Sequence, residues 1–376
     1  MANIAAGIIF SSLNDNTLSR LTSDRTVSAI PFACRYRLID FALSSLVNAN
    51  ISNINIVSNY NYRSLLEHIG SGKDWDLARH SGGINIISPF QTRGSEKSRM
   101  FKTHMEALIN MKEYIDEFKE EYVILIDSDS VLNIDITELI NHHIETRARI
   151  TLVTTKTDAA YTSKHNRMMI SSKDGKIVDI KMSDRHLDSN PELSLNIYVM
   201  STVYLGHLIS LSIAHKENSL TRLILEGYKN ERYLTYCYSG YAFTVSSFLD
   251  YYRYSLELVK NEDARNSLLN RRERPIFTKV HNSAPVIYKD GATVESSMIA
   301  DDCVIEGTVI NSLLFRNVHI GRGAVVKDCV LFSGTYVSDN ASLNSIVTDK
   351  DVFVSDGVTL SGNGNMPFYI PKGRKI

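Results

Sequence analysis

From residue 1 to about 245, short unbroken apolar runs alternate with segments whose apolar residues recur every three to four positions. The runs are "GIIF" (7–10), "INIVSNY" (54–60), "INIISPF" (84–90), "YVILIDSDS" (122–130) and "RITLVTT" (149–155). Near-continuous apolar character means burial on both faces, as in the strands of a parallel sheet covered by helices. Between them, "DFALSSLVNANI" (40–51) and "HMEALINMKEYIDEFKEE" (104–121) carry helical spacing. Strands alternating with helices predict an α/β domain of Rossmann-like type, with a mixed, mostly parallel sheet. "MMISSKDGKIVDIKM" (168–182) alternates strictly around Lys173-Asp174-Gly175 and predicts a hairpin. "SSFLDYYRYSLELVKNED" (246–263) predicts a helix leading out of this domain, which we place at 1–265. The polar "NSLLNRRERP" (266–275) opens a linker over 266–284.

Beyond residue 285 the period changes to six. Val325, Leu331, Val337 and Leu343 form one series, and Ile320, Val326 and Phe332 a second. A hexapeptide period predicts a parallel β-helix over 285–376, each six-residue side stacking its apolar residue on the previous rung. An antiparallel sandwich would favour a period of two. The register falters at 311–319, where an irregular rung is predicted.

The 376 residues suit two domains, and 43% hydrophobic with 22% charged residues is ordinary for a globular chain. A formal net charge of −1 argues against a dedicated nucleic-acid or anionic-membrane binder. No apolar run approaches the roughly 20 residues of a membrane helix, and "MANIAAGIIFSSLND" lacks the basic start of a signal peptide. Cys34, Cys237, Cys303 and Cys329 form no C-x-x-C pair, so neither a zinc site nor a disulfide framework is suggested. A reducing cytoplasm is the expected location.

Candidate chemistry is sparse. After the first strand a nucleotide-binding protein places glycines, so that backbone N–H groups can approach phosphate. Here Ser11–Thr17 has no glycine and one carboxylate. Asp127-x-Asp129 reads either as a metal-binding pair or as two carboxylates closing a strand end; with no second ligand in view the second reading is preferred. His142 and His143 are adjacent on a helix, do not share a face, and predict a solvated helix end. His319 is the only histidine within 290–376 that hexapeptide acyltransferase chemistry would use.

Two long segments carry a resemblance. "AIPFACRYRLIDFALSSLVNANI" (29–51) and "HIGSGKDWDLARHSGGINIISPF" (68–90), followed by hexapeptide repeats, resemble the bacterial ADP-glucose pyrophosphorylases (glucose-1-phosphate adenylyltransferases) over nearly the whole chain. The resemblance implies a Rossmann-like nucleotidyltransferase domain followed by a left-handed β-helix. It also implies a reaction in which glucose 1-phosphate attacks the α-phosphorus of ATP with help from Mg²⁺ and cationic side chains.

Against that pattern the chain departs at most chemical positions. The family's glycine-rich loop aligns with Phe10 to Thr17, its arginine falling on Thr17 and a following lysine on Val27. The Gly-Thr-Ala-Asp/Asn-Ala base-binding turn aligns with Thr103-His104-Met105-Glu106-Ala107, and the Glu-Lys of the sugar-phosphate contact with Met182-Ser183. Ser194 and Asn196 fall on the glucose pocket. Of two metal-binding aspartates, the one in Ser-Gly-Asp-His survives as Asp129 of Asp127-Ser128-Asp129-Ser130, and the other falls on Thr244. A Mg²⁺ site rests on anionic oxygens, so Asp129 alone would serve a metal only if the chain were active. Removing one such electrostatic contact commonly costs on the order of 10²–10³ in rate. Arg25 and Arg37, with Arg35 beside them, match the neighbourhood of an anionic effector pocket.

The resemblance is nearest to the D-type regulatory subunits of the glycogen-synthesis enzyme. It implies no cofactor for this chain itself and Mg²⁺ for an active partner subunit. A mixed tetramer with that subunit, or else a homo-oligomer, and an anionic sugar-phosphate or phosphometabolite effector are expected. An active nucleotidyltransferase with an altered pocket is the alternative, and an acyltransferase the more remote one.

Overall fold

The computed structural model describes residues 4–11, 18–78, 82–89, 100–156, 167–183 and 192–376. Its largest sheet has, among the described residues, nine strands. From one edge they run Gly83–Ile87, Asn53–Val57, Ala5–Phe10, Tyr122–Asp127, Glu192–Ser201, Ile150–Lys156, Tyr233–Tyr238, Lys176–Ser183 and Arg167–Lys173. The sheet is mixed. Its first four strands are parallel, whereas Glu192–Ser201 runs antiparallel to both of its neighbours. The predicted hairpin is the outer pair of strands turning at Asp174-Gly175.

Alternate residues of the apolar runs feed opposite faces, which is why these strands are apolar throughout. Ile8, Phe10, Val123 and Leu125 pack on one side beneath helices 104–110, 202–215 and 220–227. Ile9, Ile54, Ile56, Ile124 and Ile126 pack on the other beneath helices 38–48, 63–69 and 136–146.

Residues 285–376 form a left-handed β-helix with three parallel five-stranded sheets. Its lumen holds Ile320, Val326, Leu331, Val337 and Leu343, all fully buried. Here the two predicted series are corrected in phase. Ile320 stacks on Val337, Val326 on Leu343 and Leu331 on Thr348, so a coil takes 17 residues and one of its three sides is a residue short. A strict six-residue step therefore drifts out of the lumen: Val325 faces outward, and Phe332 is buried outside the lumen, against the first domain.

The irregular rung also lies elsewhere than predicted. Thr293 stacks on Thr308, 15 residues on, but Thr308 on Val325, 17 on, so the short side falls between Val304 and Thr308. Gly307 makes it possible, because a Cβ there would lie 2.4 Å from the Ala324 carbonyl oxygen.

One of the three outer faces is covered. Met298, Leu313, Val330, Val347 and Phe332 join Tyr251, Tyr252 and Leu256 of helix Phe248–Lys260 in a single core that runs through both domains. The segment 266–284 is strapped to the first domain. Helix Glu262–Leu268 extends into it, Asn133 donates to the Leu268 and Arg274 carbonyls, and the Phe277 N–H donates to the Ser44 hydroxyl at 2.8 Å.

Candidate functional site

In an open α/β sheet, ligands bind beyond the carboxyl ends of the parallel strands. Here Phe10 and Asp127 end adjacent central strands directly opposite each other. His104, the first residue of helix His104–Asn110, places its Nε2 2.6 Å from Asp127 Oδ1 and its ring edge-on to Phe10 at 4.5 Å. The Thr103 hydroxyl caps this helix by accepting the Glu106 N–H. Burial alone would pull the imidazole down, but the Asp127 carboxylate, with Asp129 beyond it, outweighs burial and holds its pKa above the ordinary value. His104 is the residue sequence reasoning missed, although a histidine in the place of the family's threonine was a visible signal.

Asp129 sits in the turn after the strand, its carbonyl accepting from the Val245 N–H at 2.9 Å. That contact brings in the segment Ala242–Thr244, which pairs with Ser130–Leu132 so that Thr244 stands opposite Ser130. The two hydroxyls are 3.4 Å apart, and Ser130 also donates to the Leu195 carbonyl at 2.6 Å. Thr244 thus stands beside the turn that carries Asp129, and it is a neutral alcohol. These donors do not fit a divalent cation, since the remaining carboxylate, Asp127, already accepts from an imidazole. Among the described residues no group of three or more His, Cys, Asp or Glu side chains is arranged to hold a metal.

Val27, where the resemblance places a lysine, is 5% exposed in the turn Val27–Ala29 and packs with Leu18, Leu21, Ile30, Phe243 and Val245. Beside it Ser28 joins Ser11 and Thr26 through hydroxyl contacts of 2.8 Å each. Among the described residues, the phosphate side therefore presents an apolar cluster and hydroxyls in contact with one another. Thr17 lies outside the described residues. Ser183 ends its strand opposite Arg167.

Ser194 and Asn196 flank a bulge in the strand Glu192–Ser201, with Asn196 at φ 53° and its N–H donating to the Ser194 hydroxyl at 3.1 Å. The Tyr198 phenol, pushed up by burial and by the nearby Asp127, donates to the Asn196 side chain. These residues lie on the strand that pairs with Tyr122–Asp127.

The three arginines go elsewhere. Arg25 is 3% exposed and grips Asp349 of the β-helix with two contacts, Nη1–Oδ2 3.0 Å and Nη2–Oδ1 2.6 Å. The same carboxylate accepts from the Tyr369 phenol at 2.7 Å. Arg37 donates to the Ser64 carbonyl and hydroxyl at 2.6 and 2.9 Å, and burial lowers its guanidinium to about 10. Only Arg35 is half exposed, 3.7 Å from Asp301. Lys350, absent from the sequence reasoning, joins them: burial, then Arg37 and Arg25, lower its ammonium to about 8.

One further expectation is corrected. The pair His142-His143 is no solvated helix end: His143 is 3% exposed, its Nδ1 2.8 Å from the Thr151 hydroxyl, and burial with His142 nearby lowers it to about 4. Its helix is pressed on the sheet, so the apolar face takes the histidine inside. His319 stacks on Tyr336 at 4.3 Å and faces Glu306 at 3.4 Å, a ladder position on an outer face of the β-helix.

The motif segments explain each other. Asp40 of "RYRLIDF" accepts the Arg37 N–H at the start of its helix and holds His68 of "HIGSGKDWDL" at 2.6 Å, and His68 lies edge-on to Trp75. This is a scaffold joint beside the cleft.

Comparison with known proteins agrees with this architecture. The Nucleotidyl transferase family matches residues 7–180, and the GlmU-like C-terminal hexapeptide family matches 283–365. The glycogen biosynthesis protein GlgD of Bacillus subtilis (strain 168) is 32% identical over 99% of this chain and 96% of its own length. Glucose-1-phosphate adenylyltransferases of Bacillus cereus (strain Q1) and Bacillus anthracis are each 27% identical over 93% of this chain and 92% of theirs. By this full-length relationship the chain belongs to the family of the glycogen biosynthesis protein GlgD, the ADP-glucose pyrophosphorylase-like nucleotidyltransferases that end in a hexapeptide β-helix.

Proposed function

We propose that this chain is a catalytically degenerate, regulatory subunit of glucose-1-phosphate adenylyltransferase, raising the activity or shifting the effector response of an active partner subunit. One observation carries the reading: the cleft that would hold a metal and phosphates presents Thr244, the core residue Val27 and an Asp127 already engaged by His104. In-line transfer to the α-phosphorus depends on positioned charge, and several such contacts are replaced together. Mg²⁺ belongs in this reading to the partner's site. Assembly is a mixed tetramer, for which the retained scaffold joint Asp40–His68–Trp75 keeps the domain rigid.

An anionic sugar phosphate or phosphometabolite is the effector class, and the domain junction supports it, because burial and then the charges of Arg37 and Arg25 bear on Lys350 there. A cytoplasmic location fits four free cysteines. Among the described residues no helix is long and apolar enough to cross a membrane.

The test is ADP-glucose formation from ATP, glucose 1-phosphate and Mg²⁺ by this chain alone, by an active subunit from the same cell, and by the two co-expressed. Silence alone, with a mixture that outperforms the active subunit or changes its effector response, is the expected result. Turnover by this chain alone, abolished by Asp129→Asn, would establish the altered-pocket enzyme instead.

A further inference from the structure

His104 and Asp127 depart from the family pattern together. At these two positions the resemblance places a threonine and a serine, two neutral hydroxyls, and here they are an imidazole and a carboxylate in contact. Neither change is needed by the fold. Asp127 ends a strand whose pairing with Phe10 is made by backbone, and the helix of His104 is already capped by Thr103. What the two changes make is a contact across the mouth of the sheet, with the imidazole held on one side by Asp127 Oδ1 and on the other by the Phe10 ring.

We propose that His104 holds the Asp127 carboxylate in place of a divalent cation, so that the cleft of this chain takes up no divalent metal until that contact is broken. The inference rests on the degenerate reading above and adds the device that keeps the cleft closed to metal. A hard cation such as Mg²⁺ or Mn²⁺ binds through several oxygens, and affinity rises with the number of carboxylates among them. At this strand end stand two carboxylates, Asp127 and Asp129, and Thr244 adds only a hydroxyl. An N–H donated to Asp127 occupies the oxygen a cation would take and sets a ring where its water shell would be. Only Asp129 would be left, and one carboxylate holds such an ion weakly. Without the imidazole, two carboxylates two residues apart stand at one strand end.

The experiment is a titration of the full-length chain with Mn²⁺ alone, read from the electron paramagnetic resonance signal of the free ion. Wild type is expected to show no saturable uptake. His104→Thr is expected to take up one equivalent with affinity raised about tenfold or more, and His104→Thr with Asp127→Ser to return to the wild-type result. A His104→Thr protein that melts cooperatively yet takes up no more Mn²⁺ than wild type overturns the proposal. A wild-type measurement covers the case of a variant that does not fold: the ring N–H resonance of His104 is expected to keep its width when stoichiometric Mn²⁺ is added, and its selective broadening overturns the proposal. Turnover by the wild-type chain would sink the degenerate reading. A silent wild type whose His104→Thr form ignores Mn²⁺ sinks only this one.

Discussion

The seam between the domains and the cleft at the strand ends both take charged groups out of water, and they do so for opposite ends. At the seam, Arg25 reaches across 324 residues of sequence to pair with Asp349, with Tyr369 and Phe332 closing around the pair. Arg25's own domain adds only the Leu21 carbonyl, which accepts from Arg25 Nη1 at 3.3 Å, so the charge pair itself joins the two domains. In the cleft, His104 and Asp127 pair within one domain at a place where relatives of this fold meet their ligands. The first pair joins two domains of one chain; the second joins a helix start to a strand end within one domain.

The comparison can be broken most severely at Arg25. Replacing it with alanine leaves Asp349 buried without its counter-charge, and a loss of about 3–5 kcal/mol is expected in denaturant unfolding. A loss below about 1 kcal/mol would mean that the apolar core alone sets the seam. Val27→Lys probes the cleft from the phosphate side. It forces an ammonium into the cluster of Leu21, Ile30 and Phe243, so a cost of about 3 kcal/mol with no gain of turnover is expected. A stable, active variant would show that the old phosphate side is still open.

His68→Ala tests whether the motif segments are scaffold. It removes the partner of Asp40 Oδ1, at a cost of about 2 kcal/mol in thermal or chemical melts, while assembly with an active subunit is retained.

The smallest effect separates the two charge pairs by pH. His104 has a raised folded-state pKa, so its contribution is fully present below the unfolded value near 6.5 and is lost as pH rises through the higher folded value. Melting temperature measured upward from pH 6 should therefore fall more in wild type than in His104→Gln, and equal slopes would remove the ion pair from the account.

How far the sequence reads can be followed residue by residue. Apolar runs at 54–60 and 122–130 became central strands because burial on both faces leaves one mark, uninterrupted hydrophobicity. The sixfold texture revealed a β-helix, but a 17-residue coil defeats a strict count of six, and Val325 was placed inside when it points out. For the site, the fold sets Thr244 opposite Ser130, one residue after Asp129. His104–Asp127 lay unread because its partners are 23 residues apart, and a lone histidine at a helix start has no meaning until something faces it.

What the sequence by itself determined is therefore local and periodic: strand and helix type, the two domains, and the loss of glycines and of one carboxylate. These follow from the spacing of side chains along a single element. What only the tertiary structure decided is pairing. Arg25 reads as an effector-pocket arginine in sequence, and in space its guanidinium meets Asp349, which arrives from the far domain. The free-energy cost of burying a charge, and hence its role, is set by the partner that meets it, and that partner is chosen by the fold.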